Sequence, residues 1–107
     1  MNNRLDQLLA FLQQTPDDPF TRYSVAYEYM QAGDHLKAVE HFTALRAIAP
    51  DYTGLYYHLG KCLEGLDREP EARDAYRDGI ARTQALGQTH ARQELERALQ
   101  QLLDWDA

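Results

Sequence analysis

Residues of one type return along this chain at a constant step. Ala38 and Phe42 are followed 34 positions later by Ala72 and Tyr76. Val25, Ala26 and Tyr29 are echoed by Leu59, Gly60 and Leu63, and the turn Pro16-Asp17 by Pro50-Asp51. A single-domain fold without internal duplication seldom keeps one step across so many positions. A period of this length marks stacked helix–turn–helix units, each unable to bury its apolar face alone. The functional question therefore moves from what the chain catalyses to what it holds.

Aligned on that step, the second copy reads Tyr56, Leu59, Gly60, Leu63, Ala72, Tyr76. The first reads Arg22, Val25, Ala26, Tyr29, Ala38, Phe42, Pro50. Over residues 17–86 this resembles the tetratricopeptide repeat, W-x2-L-G-x2-Y…A-x3-F…P. The whole chain is similar to short stand-alone bacterial proteins of that class. It departs from the pattern at Arg22 (for the early aromatic), at Leu45 (for a small residue) and at Asp67, where the first unit has the turn glycine Gly33; no proline closes the second unit at Gln84. The resemblance implies an all-α fold, a right-handed α-solenoid of antiparallel helix pairs with about six helices. It also implies a binding role, without naming a partner. The expected division is a half-repeat helix over residues 1–16, repeats over 17–50 and 51–86, and a capping helix over 87–107.

Helix signals agree with the period. Leu5, Leu8, Leu9 and Leu12 form one stripe of a helix over residues 3–14. Asp18 reads as an N-cap with Pro19 at the first helical position, where a missing N–H costs nothing. That helix runs to Ala32 and turns at Gly33. Asp34 caps the next, which ends before Pro50. The second unit pairs a helix over residues 53–65 with one starting at Glu69-Pro70 and ending by Gly87. Thr89 is the expected cap of a last helix reaching Asp104, with Arg92, Glu96 and Arg97 on its solvated face and Ala91, Leu95, Ala98 and Leu102 on the other. Trp105 would be a lid over Leu99 or Leu102. Ala26 against Ala38, and Gly60 against Ala72, would let paired helices approach closely. On the second helix of the second unit, Glu69 with Arg73 and Asp78 with Arg82 are acid-before-base pairs of a solvated outer face.

One hundred and seven residues make one domain, and an apolar share of 44% excludes a disordered chain. The net charge is −6, with residues 1–66 holding five basic and eight acidic side chains and residues 67–107 six and nine. Without a basic patch, no counterion release drives nucleic-acid binding, and an acidic membrane surface would repel the chain. No apolar run spans a bilayer, and the N-terminal residues lack the apolar core of a secretory signal. The expected location is cytoplasmic. Cys62 is the single cysteine, as fits a reducing compartment, and its position reads as core filler.

No active site emerges from the pattern. His58 and Cys62 are spaced i,i+4, but two ligands do not make a metal site and the register turns only His58 toward a groove. His35 and His41 are poorly spaced, and Glu28 and Glu64 lack an accompanying nucleophile or base. An improvised His58–Glu64 site is the weakest reading. The sequence reads as non-catalytic, with no cofactor and no metal.

In the resembled architecture the first helix of each unit lines a concave groove. Here that places Phe20, Tyr23, Ser24, Tyr27, Met30 and Gln31, then Gly54, Tyr57, His58, Lys61 and Glu64, then Gln88, Ala91, Arg92 and Leu95 on the groove side. Tyrosine offers large contact area with few rotors and is enriched at binding hot spots. The groove residues expected to bind a peptide are Phe20, Tyr23, Tyr27, Met30, Tyr57, His58, Lys61 and Arg92, the last two neutralising an acidic group. The carboxylate clamp of chaperone-tail binders has its matching places at Tyr23, Tyr27, His58, Gln88 and Arg92; only Arg92 suits it. The expected function is a protein–protein interaction module holding a peptide or helix of a partner, as a monomer or weak homodimer. The alternative is self-assembly through the terminal helices, using Leu5, Leu8 and Leu12 or Leu95.

Overall fold

In the computed structural model, which describes residues 3–105, the chain is six helices. They are α1 Asn3–Gln14, α2 Pro19–Gln31, α3 His35–Ile48, α4 Gly54–Gly65, α5 Glu69–Ala85 and α6 Thr89–Trp105. Among the described residues there is no strand. The expected lid role of Trp105 falls outside the described side chains.

Local chemistry sets the boundaries. The Asp18 carboxylate accepts from the Thr21 backbone N–H at 3.0 Å and from its hydroxyl at 2.5 Å. Asp34 accepts from the Lys37 N–H at 3.1 Å. Each satisfies donors that a helix start leaves unpaired. Gly33 (φ 81°) and Gly87 (φ 69°) turn the chain after α2 and α5, and Asp67 adopts the same left-handed backbone (φ 58°) after α4. Aspartate tolerates that region better than most non-glycine residues, which is how the second unit manages without a glycine there. Thr89 is not a cap: it is the first residue of α6, and the Arg92 N–H bonds the Gln88 carbonyl at 3.0 Å. Gln88 holds the cap position, and its side-chain carbonyl instead accepts the Thr53 hydroxyl at 2.5 Å, tying the starts of α4 and α6 together.

Each helix packs against its neighbour in sequence, and α4 additionally touches α2 and α6, while α3 and α5 do not meet among the described residues. The helices α2, α4 and α6 therefore stand side by side as one wall, with α3 and α5 behind. The 19 Å shortest extent of the molecule matches two helix layers. Helix α1 packs on α2 only, with Arg4 reaching Glu28 at 3.6 Å, so it does not cross the wall over α4.

The core between the layers includes Ala26, Ala38, Phe42, Leu45, Leu55, Tyr56, Ala72, Ala75 and Tyr76, all fully buried. Gly60 does allow close approach, but to the Tyr76 ring rather than to Ala72: an added Cβ would overlap that ring. The Tyr76 hydroxyl donates to Glu64. Arg22, standing where the repeat pattern has an aromatic, substitutes polar ties for packing. It reaches His41 Nδ1 at 3.1 Å and the Pro16 carbonyl at 3.2 Å. The Tyr29 ring stacks on His41 with centroids 5.5 Å apart. Burial lowers the His41 pKa, and the Arg22 guanidinium lowers it further. On the outer face Asp78 pairs with Arg82 at 3.7 Å, and Arg82 also reaches Asp51 at 3.2 Å.

Candidate functional site

The wall of α2, α4 and α6 carries a connected aromatic strip. Position 23 and position 27 are one helical turn apart on α2, so Tyr23 and Tyr27 share a face, their centroids 6.3 Å apart. On α4, His58 sits against both, 6.0 Å from Tyr23 and 5.6 Å from Tyr27, the latter edge-on at 89°. Tyr57 adds another edge contact to His58 at 5.7 Å. Beneath, buried Phe42 stacks on His58 at 6.0 Å and meets Tyr23 edge-on at 5.9 Å. Tyr52, in the turn before α4, closes on Tyr23 at 5.2 Å. Edge-to-face and tilted geometries at these separations are favourable for rings with negative faces and positive edges. The four groove-side rings are half-buried: fixed from below, open from above.

Burial sets the protonation states along the strip. It pushes the Tyr23 hydroxyl up, with Tyr52 and Tyr27 adding to the effect. It lowers His58, an effect the Glu94 carboxylate partly opposes. The imidazole is thus held toward its neutral form, suited to ring packing. Cys62 points inward, buried, its thiol pushed up to about 11 by burial. A thiol so placed is a poor nucleophile and metal ligand at neutral pH.

Two clefts flank the strip. One, about 290 Å³ between α1 and α2, is lined by Arg4, Phe20, Tyr23, Ser24, Tyr27 and Glu28. The other, about 280 Å³ between α4 and α6, is lined by Thr53, Gly54, Tyr57, His58, Ala91, Glu94 and Leu95. Phe20, 65% exposed, stands at the outer edge of the first. Ser24, also expected on the groove, is buried and donates to the Phe20 carbonyl at 2.8 Å. Gln31 donates to the Tyr27 hydroxyl at 2.7 Å. Met30 is half-buried and packs onto the core.

Leu95 is 2% exposed and belongs to the core, so it forms only the floor of its cleft. Lys61 pairs with Glu64 at 3.8 Å and lies 5.6 Å from the Tyr57 ring centre, and Arg92 pairs with Glu96 at 3.7 Å. Both cations already face carboxylates of their own chain. For the self-assembly alternative, Leu12 is also buried, and Leu5 and Leu8 are half-buried. Arg4 and Glu94 were not among the expected site residues. Glu94 falls on the stripe Ala91, Glu94, Ala98, Gln101, a spacing of three and four that sequence could have traced from Ala91. Among the described residues no group of three or more His, Cys, Asp or Glu is placed to hold a metal. No described helix is long and apolar enough to cross a membrane.

The sequence profile described as tetratricopeptide repeat matches residues 29–88. The crystal structure of a tetratricopeptide repeat domain protein from Salinibacter ruber is 39% identical, with a TM-score of 0.77 over 81% of this chain and 97% of that one. Its solution structure, at 40% identity, gives 0.76 over 81% and 88%. The solution structure of a Bordetella parapertussis protein is 29% identical and superposes with a TM-score of 0.87 over 100% of this chain and 93% of its own. No curated protein matches the chain.

Proposed function

The chain belongs to the tetratricopeptide repeat family, and on that premise we propose that it is a non-catalytic module binding a peptide or helix of a partner protein across the Tyr-rich wall of α2, α4 and α6. Tetratricopeptide domains generally act as protein–protein interaction modules. The proposal keeps the division into a half-repeat over residues 1–16, repeats over 17–50 and 51–86, and a cap over 87–107. It also places the protein in the cytoplasm, acting as a monomer or weak homodimer on a protein partner rather than on nucleic acid or membrane.

One observation carries this reading. Tyr23, Tyr27, His58 and Tyr57 form an unbroken strip of half-buried rings with a cleft at each end. Such a surface suits a bound segment: rigid apolar area in the middle, hydroxyls to orient a backbone, and clefts for side chains. The test compares wild type with Tyr23→Ala/Tyr57→Ala as baits in native cytosol. Partners captured by the wild type and lost with the double variant are the expected result. Equal capture by both would place binding elsewhere and overturn the groove assignment.

A further inference from the structure

The cleft between α4 and α6 has one charged wall. Of its seven lining residues, only Glu94 carries a carboxylate, and no Lys or Arg is among them. The Glu94 side chain is half exposed (52%), and its nearest ion-pair contact is His90 Nε2 at 3.8 Å, on a side chain that is 91% exposed. That separation is too long for a hydrogen bond. The remaining walls are the Tyr57 and His58 rings and the apolar surfaces of Ala91 and Leu95. Tyr57 already draws a cation, Lys61 Nζ, to 5.6 Å from its ring centre. Three cations along the wall have carboxylates of their own chain 3.6–3.8 Å away, Lys61 with Glu64, Arg92 with Glu96 and Arg4 with Glu28.

Building on the groove reading above, we propose that this cleft binds an arginine side chain of the partner segment, with Glu94 as its counter-charge and Tyr57 as its platform. A guanidinium is flat, stacks on aromatic rings and presents a fork of donors to a carboxylate. Its three-carbon stem would lie along Ala91 and Leu95. Burial keeps His58 toward the neutral form, so the imidazole adds no repelling charge at neutral pH. The net charge of −6 favours approach of a basic segment. Arg97 lines a smaller adjoining cleft together with Tyr57, Glu94, Ala98 and Gln101, close enough that it would compete with an incoming cation for Glu94.

The probe is N-acetyl-arginine amide, titrated at low salt and neutral pH into the isotopically labelled chain and followed by NMR. The control is N-acetyl-citrulline amide, of the same shape without the charge. Saturable shifts at Tyr57, His58 and Glu94 with arginine alone are expected. Glu94→Gln, on an exposed position compatible with an unchanged spectrum elsewhere, should weaken them about tenfold or more, and Arg97→Gln should strengthen them. Equal shifts with citrulline, no shifts at the cleft, or shifts untouched by Glu94→Gln would each overturn the inference. The two readings fail separately. Partner capture lost in Tyr23→Ala/Tyr57→Ala, with no Glu94-dependent arginine shift, removes only the arginine cleft; capture unchanged in that variant removes the groove assignment.

Discussion

Gly79 sits inside α5, where an exposed glycine would cost about 1 kcal/mol relative to alanine, so Gly79→Ala would ordinarily stabilise the helix. The structure reverses that expectation. A Cβ at position 79 would lie 2.6 Å from Tyr56 Cβ and 2.9 Å from Leu95 Cδ1, against the 3.4 Å at which ordinary contact begins. Leu95 can turn its methyl away. Tyr56 Cβ is fixed to the α4 backbone, and the ring is anchored through its hydroxyl to the Pro50 carbonyl at 2.5 Å. Helix α5 must therefore retreat from α4, loosening a fully buried layer of Tyr56, Ala75 and Thr83. Overpacking of this kind costs about 1–3 kcal/mol, and a backbone-fixed neighbour puts it near the upper end. Subtracting the helix-propensity gain leaves a net loss of about 1–2 kcal/mol. In urea, with a slope of about 1–1.5 kcal/mol/M for a domain of this size, the midpoint should fall by about 1 M. Gly54→Ala is the matched control: its Cβ would meet Tyr23 Cε1 at 3.7 Å, an ordinary contact, and the midpoint should hold or rise. A Gly79→Ala midpoint equal to or above wild type, at unchanged slope, would refute the argument that α4, α5 and α6 are locked at this distance.

Two further outcomes follow from burial. His58 and His41 have pKa values lowered from 6.5, both chiefly by burial, so below that value the unfolded chain binds more protons than the folded one. Stability is then fully present above the unfolded value and lost as pH falls through the folded values. The groups facing them, Glu94 for His58 and Arg22, Glu40 and Lys37 for His41, are already included in that direction. Thermal melts should give a lower midpoint at about pH 5.5 than at about pH 7.5, and His41→Gln/His58→Gln should flatten the difference; an equally steep profile in the double variant would sink this account. Leu95→Glu should cost about 4 kcal/mol or more by burying an unpaired charge among core side chains. It would appear as lost helicity in circular dichroism. A well-folded variant with a smaller mass by light scattering would instead return Leu95 to a subunit interface.

The fold was legible in the sequence because its determinants are local and periodic. The 34-residue step, the Asp18 and Asp34 caps and the left-handed turns at Gly33 and Gly87 each announce themselves within a few residues. The clefts were harder to read because they depend on the rotation of α6 against α4, which no residue of α6 reveals alone. Small errors in that rotation exchange core for surface: Leu95, read on the groove side, is the buried floor of its cleft, and Glu94, one position earlier, forms the exposed wall.

 The exchange at Leu95 follows from its 2% exposure and its place against Gly79.

Charge was less legible than packing for a related reason. Read as a string, Lys61 and Arg92 look like free cations on a groove, fit to receive an acidic group. In three dimensions each lies within 4.0 Å of a carboxylate three or four residues further along its own helix, and half-exposed pairs of that kind lose most of their reach to solvent screening. What is left for a partner to read is set by the side chain that, among the described residues, has no Lys or Arg within 4.0 Å and only an exposed histidine beside it. Along the α4–α6 cleft that is Glu94, so the wall presents a carboxylate beside aromatic rings, the reverse of what the unpaired sequence suggests. A basic segment is the complement to that surface, and the salt dependence of its binding is the physical signature that separates the arginine cleft from simple apolar contact with the tyrosine strip.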